Sequence, residues 1–172
     1  MKTKSNFEFL KKDYLELSKL GQLAERNCFV DPSTTLAKLR ILAEKLAVVL
    51  VGIEQLEDCI DNKQMSRLGI LDNAVNIPKD IISIFHTIRK SGNKAAHSGT
   101  GTQPEARYML RQTYYLTKWF VEVYEEVDFV RDYEVPQEAW FSSNEVTLEL
   151  EKELETLKDE VKNYKEKIYS RT

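Results

Sequence analysis

The sequence predicts an all-α protein: a helical bundle followed by a helix with a heptad seam. Three observations carry that reading. Glycine (6) and proline (4) are scarce, and the prolines fall where helices should begin or end. Apolar residues recur every three or four positions through most of the chain. No segment reads as a strand of any length. At 172 residues the chain can bury a real core within one domain.

Ser5 with Glu8 three positions on has the form of a capping box, and Phe7, Leu10, Tyr14, Leu17 and Leu20 follow at helical spacing. Gly21 should loosen this helix, leaving a further turn or two through Leu23 and Asn27. Asp31-Pro32 is a strong start signal, since Asp accepts from free backbone N–H groups and Pro suits the first helical position. Leu36, Leu39, Ile41, Leu42, Leu46, Val49, Leu50 and Ile53 then give a wide apolar face, placing this helix at the bundle centre. Lys38, Arg40, Glu44 and Lys45 mark its wetter side.

Residues 62–75 read as a short helix holding Met65, Leu68, Ile70 and Leu71. Ile77-Pro78 opens the next, holding Ile81, Ile82, Ile84, Phe85 and Ile88 and ending at Ser91-Gly92. A short NKAAH segment and a polar SGTGTQ loop follow. Pro104 restarts a long helix with Tyr108, Leu110, Tyr114, Leu116, Phe120, Val121 and Tyr124. Periodicity fails from Asp128 to Asn144, where Pro136, Trp140 and Phe141 should drape over the bundle. From Glu145, the spacing of Leu150, Leu154, Leu157, Val161, Tyr164 and Ile168 by fours and threes is a heptad seam. It runs on without a stop signal and reads as the start of a longer helix. The expected division is a bundle over 1–127, an irregular segment over 128–144 and a coiled-coil-like helix over 145–172.

A net charge of -3 does not advertise nucleic-acid binding, which normally needs a basic surface. Cys28 and Cys59 lack CxxC spacing, which argues against a metal site or disulfide framework. The longest apolar run, Leu46 to Ile53, is far short of the roughly 20 residues that span a bilayer. With no signal-peptide stretch either, a cytoplasmic protein is expected. There is no HExxH, GxxxxGK[ST] or GxSxG pattern. The chemistry-bearing candidates are Arg89, Asn93 and His97, which could grip a phosphate and move a proton. The bland alternative gives them capping, turning and packing roles, and makes His86 a half-buried structural histidine. Lys90, Lys94, Arg107 and Arg111 are candidate nucleic-acid contacts, against the default of a solvated helix face.

Three stretches, KSNFEFL (4–10), DPSTTLAKLRILAE (31–44) and FHTIRKSGNKAAH (85–97), together resemble the N-terminal, DUF4145-type domain of type I restriction enzyme R subunits. The resemblance covers most of residues 4–125. It implies a parent that translocates and cuts DNA at the expense of ATP and assembles with methyltransferase and specificity subunits. ATP, Mg and the nuclease carboxylates would belong to the parent beyond Thr172, so this chain should need no cofactor and catalyse nothing. The domain also looks like a distant relative of HEPN helical domains, some of which are ribonucleases with an Arg, a polar residue beside it and a His several residues on. Asn93 and His97 match the latter part of that pattern. Gly92 stands where those nucleases have Arg, and Arg89, one turn earlier, is the nearby substitute. The leading expectation is an interaction or scaffold module. The alternatives are a HEPN-type ribonuclease, acting as a homodimer, and a nucleic-acid sensor.

Overall fold

The computed structural model describes residues 5–127, 130–141 and 144–170. Lys4 of the first matched stretch, Asp128, Phe129, Ser142 and Ser143 of the irregular segment, and Arg171 and Thr172 lie outside them. Among the described residues the fold is all-α. The helices are α1 (Leu15–Asn27), α2 (Pro32–Ile53), α3 (Gln64–Asp72), α4 (Lys79–Ser98), α5 (Gln103–Tyr124) and α6 (Asn144–Tyr169). Short 3-10 turns occupy Glu8–Leu10 and Glu138–Phe141.

Helix α2 is the hub, packed against α1, α3, α4 and α5. Its buried stripe of Leu36, Leu39, Leu42, Leu46 and Leu50 lies at the expected spacing, each side chain worth about 1.5–3 kcal/mol of burial. Asp31 caps it by accepting from the Thr34 N–H at 3.2 Å, with Pro32 in the first turn. Thr102 caps α5 in the same way, accepting from the Glu105 N–H at 3.2 Å.

Several sequence expectations change. Ser5 does not start a continuous helix. Its hydroxyl donates to Glu25 and accepts from the Phe7 N–H, and only a 3-10 turn follows. Gly21 does not loosen α1, which is unbroken. A Cβ there would lie 2.3 Å from Cγ of Phe7, so the absent side chain leaves a seat for the buried Phe7 ring. Helix α3 buries Leu68 and Leu71, while Met65 is 64% exposed and Arg67 is 3% exposed. Arg67 can be buried because Asp58 and Asn62, on the preceding loop, accept from its guanidinium at 3.1 and 2.6 Å.

The largest change concerns α4. It does not end at Ser91-Gly92 but runs through NKAAH to Ser98, where Gly99 at φ 63° closes it with its N–H on the Ala95 carbonyl, 2.8 Å away. Gly92 serves close approach instead of a turn. A Cβ there would sit 2.4 Å from Cβ of Arg40 and 2.9 Å from the Leu36 carbonyl oxygen. The roughly 1 kcal/mol that a mid-helix glycine costs is offset by tight α2–α4 packing.

Residues 130–141 lie on the bundle, with Val130 and Pro136 buried and Tyr133 against Tyr114 at 5.3 Å. The first half of α6 rests on α1, burying Leu150 and Leu154, and Lys19 of α1 pairs with Glu153. Beyond, Val161, Tyr164 and Ile168 are exposed. Among the described residues no helix is long and apolar enough to cross a membrane.

Candidate functional site

Because α4 is continuous, Arg89, Asn93 and His97 fall one turn apart on a single stripe. Local periodicity therefore gathers them, but the side chains around them decide what they can do. Gly92 brings α2 close enough for Arg40 to donate from Nη1 to Oδ1 of Asn93 at 3.2 Å. The same Nη1 is 3.4 Å from Glu44. Arg40, assigned from sequence to the wetter side of α2, is thus the guanidinium at Asn93. Arg89 is half-buried, and its Nε and that of Arg40 are enclosed without a hydrogen-bond partner. His97 is exposed and has no hydrogen-bond partner among the described residues. Among the described residues no carboxylate is hydrogen-bonded to its ring, the kind of contact that orients a general base. His86 is half-buried, and desolvation, then the charges of Arg89 and Lys90, hold its imidazole below its ordinary pKa.

The basic candidates divide between two places. Lys90 and Lys94 are exposed one turn apart on α4. Arg107 and Arg111 are exposed on α5, and both lie over aromatic rings. Arg107 is 5.3 Å from the Phe29 ring and Arg111 is 5.7 Å from the Tyr115 ring. Sequence reading missed the company they keep. Arg26 at the end of α1 lies 5.1 Å from the Phe141 ring, and the Phe141 and Phe29 rings are 6.0 Å apart. A strip of arginines laid on aromatics therefore runs from the end of α1 along α5. Neither Arg26 nor Phe141 carries a local signal, because the 3-10 turn at 138–141 delivers Phe141 from far along the chain.

A second missed feature lies inside. Glu25 of α1 is fully buried and accepts from the Ser5 hydroxyl at 2.5 Å, the Asn6 N–H at 3.0 Å and Asn6 Nδ2 at 2.7 Å. Asn6 in turn donates to the Glu134 carbonyl and accepts from the Glu134 N–H, both at 2.8 Å. Burial pushes the Glu25 carboxyl up to about 7, opposed by these hydrogen bonds and by the charge of Arg131. Among the described residues no group of three His, Cys, Asp or Glu side chains gathers as metal ligands, and Cys28 and Cys59 are free thiols.

Over 136 residues, 79% of its length, the chain is 32% identical to the Type I restriction enzyme EcoKI endonuclease subunit of Escherichia coli (strain K12). That stretch is 11% of the subunit, so the chain spans only a small part of the relative it matches. No solved structure matches it. Residues 22–160, from the middle of α1 into the second half of α6, match the family described as "Domain of unknown function (DUF4145)", and the chain belongs to that family.

Proposed function

We propose that this chain is a non-catalytic interaction domain from the N-terminal part of a type I restriction enzyme R subunit, acting in defence against foreign DNA in the cytoplasm. The similarity to the EcoKI endonuclease subunit supports the setting. The observation that carries the non-catalytic half is the state of the α4 stripe: Asn93 is held by Arg40, and His97 has no hydrogen-bond partner among the described residues. A bundle whose polar residues brace its own helices is suited to holding other parts of an assembly in register. Its partners in this reading are the methyltransferase and specificity subunits or the remainder of the R subunit. DNA is met through the parent, whose motor and nuclease parts use ATP and Mg; the present domain uses neither.

Two assays test this reading. The purified chain, mixed at about 10 μM with the methyltransferase–specificity complex of the same system or with the rest of its own R subunit, should shift in gel filtration with at least one of them. Elution apart from both would sink the interaction reading. RNA incubated with the chain should stay intact. Cleavage that disappears in His97→Ala and Arg89→Ala would replace the reading with ribonuclease activity.

A further inference from the structure

The arginine strip on α1 and α5 stands apart from the rest of the surface. Most other arginines are occupied: Arg40 pairs with Glu44, Arg67 with Asp58 and Arg131 with Glu134. Arg26, Arg107 and Arg111 make no ion pair among the described residues, although the chain carries 28 acidic side chains. The carboxylate next in sequence to Arg26, that of Glu25, faces inward to Ser5 and Asn6. Each of the three guanidiniums instead lies on a ring, of Phe141, Phe29 and Tyr115 respectively. A ring face desolvates and orients a guanidinium while leaving N–H groups for an acceptor, although Arg111 already donates from Nε to the Tyr115 hydroxyl at 3.4 Å and Arg107 is hydrogen-bonded to the Cys28 thiol. Burial pulls Arg26 below its ordinary pKa, and the charge of Glu25 only partly opposes it.

Arginine and aromatic side chains dominate the energetics of protein interfaces, where lysine and acidic residues are depleted. Here Tyr108 and Val30 add exposed apolar surface at 55% and 83%. We infer that the Arg26–Arg107–Arg111 strip is the docking surface of the domain, and that it takes a protein segment presenting carboxylates among aromatic or apolar side chains. Nucleic acid is the less suited occupant. The rings of Phe141, Phe29 and Tyr115 each already carry a guanidinium, and the chain as a whole is acidic.

This inference deepens the proposed function and rests on it. Its probes are a fluorescent random Glu–Tyr copolymer, a poly-Glu chain and a 20-base-pair DNA duplex, each titrated into the full chain at two salt concentrations. The copolymer should bind more tightly than poly-Glu and than the duplex. Arg107→Glu with Arg111→Glu should weaken it at least tenfold, while Lys90→Glu with Lys94→Glu on α4 leaves it unchanged. Both pairs are exposed, and circular dichroism should report native helix content. Preference for the duplex, equal losses from the two pairs, or no copolymer binding by wild type would each overturn the inference. The same Arg107/Arg111 variant in the subunit co-elution experiment separates the two ideas. If wild type and variant co-elute alike, the strip is wrong and the interaction reading stands; if wild type fails to co-elute, the reading beneath it has failed.

Discussion

Two polar clusters tie the chain together, one around Glu25 and one around Asn93. The Glu25 cluster joins residues 5–6, α1 and residues 131–134; its carboxylate is fully buried and three donors are aimed at it. The Asn93 cluster joins only α2 to α4, is half-exposed, and leaves the Nε atoms of Arg40 and Arg89 without partners. Both set register between segments far apart in sequence, but at different stakes. A buried network repays desolvation only when its members are all paired, so removing one member exposes the full cost of the others. A half-exposed pair can fall back on water. The cluster that looked chemical in sequence is the weaker one, and the cluster with no motif holds the fold.

That contrast predicts the largest effect. Glu25→Ala should cost about 3–5 kcal/mol in denaturant unfolding, since it strands the Ser5 hydroxyl and both Asn6 donors in the core and opens a cavity. The strap over the bundle should loosen with it. Amide exchange at Glu134, whose N–H donates to Asn6, should then rise together with that at Asn6. A loss below about 1 kcal/mol would break the comparison.

A smaller effect comes from pH. Burial raises Glu25 from its ordinary 4.5 to about 7 in the folded state, so between those values the folded protein binds more protons than the unfolded one. The stabilisation from protonated Glu25 is fully present below about pH 4.5 and is lost as pH rises through about 7. The ceiling is on the order of 3 kcal/mol. Arg131, Arg26, Cys28 and Tyr133 interact electrostatically with Glu25. Cys28 and Tyr133 stay neutral across this window, their pKa values pushed up by burial. Unfolding of wild type at pH 5 and pH 7.5, beside Glu25→Gln, should show a difference that the amide removes. An unchanged difference would assign it to other groups.

Helix α4 shows where sequence reading succeeds and where it stops. Starts were legible at Asp31-Pro32 and Pro104, because an Asp cap and a proline in the first turn are local matters. The core leucines of α2 were legible for the same reason, through their spacing. The α4 end was misplaced because Gly92-Asn93 has the composition of a stop, while the use of Gly92 depends on Leu36 and Arg40 in another helix. The burial of Arg67 was not legible because it depends on Asp58 and Asn62 of the neighbouring loop. Arg89, Asn93 and His97 were picked out by residue type near a supposed helix end, but their place on one helical stripe was not readable. Arg40 reaches Asn93 across 53 positions of sequence, as Phe141 reaches Arg26 from the far side of the bundle.

The close approach itself sharpens the point. Gly92→Ala gains helix propensity of about 1 kcal/mol, yet its Cβ would meet Arg40 Cβ and the Leu36 backbone oxygen. Backbone cannot yield as a flexible side-chain tip can. The net result should be a loss of about 1–3 kcal/mol, read as a lower denaturant midpoint at unchanged slope. A gain in stability would mean that Gly92 marks only a weak helix residue and that α2 and α4 have room to part.

The smallest predicted effect separates the two halves of the α4 stripe. Asn93→Ala removes the acceptor for Arg40 Nη1 and should cost about 0.5–1.5 kcal/mol, because Arg40 keeps Glu44 and reaches water. His97→Ala, on an exposed side chain with no partner, should stay within about 0.5 kcal/mol of wild type. An Arg40→Ala, Asn93→Ala double-mutant cycle should give a coupling near the Asn93 loss, whereas the cycle pairing Arg40 with His97 should give none. Coupling between Arg40 and His97 would show that the histidine belongs to the cluster after all. The stripe would then have to be treated as one site, with Arg40 as a member that no reading along the chain brings beside it.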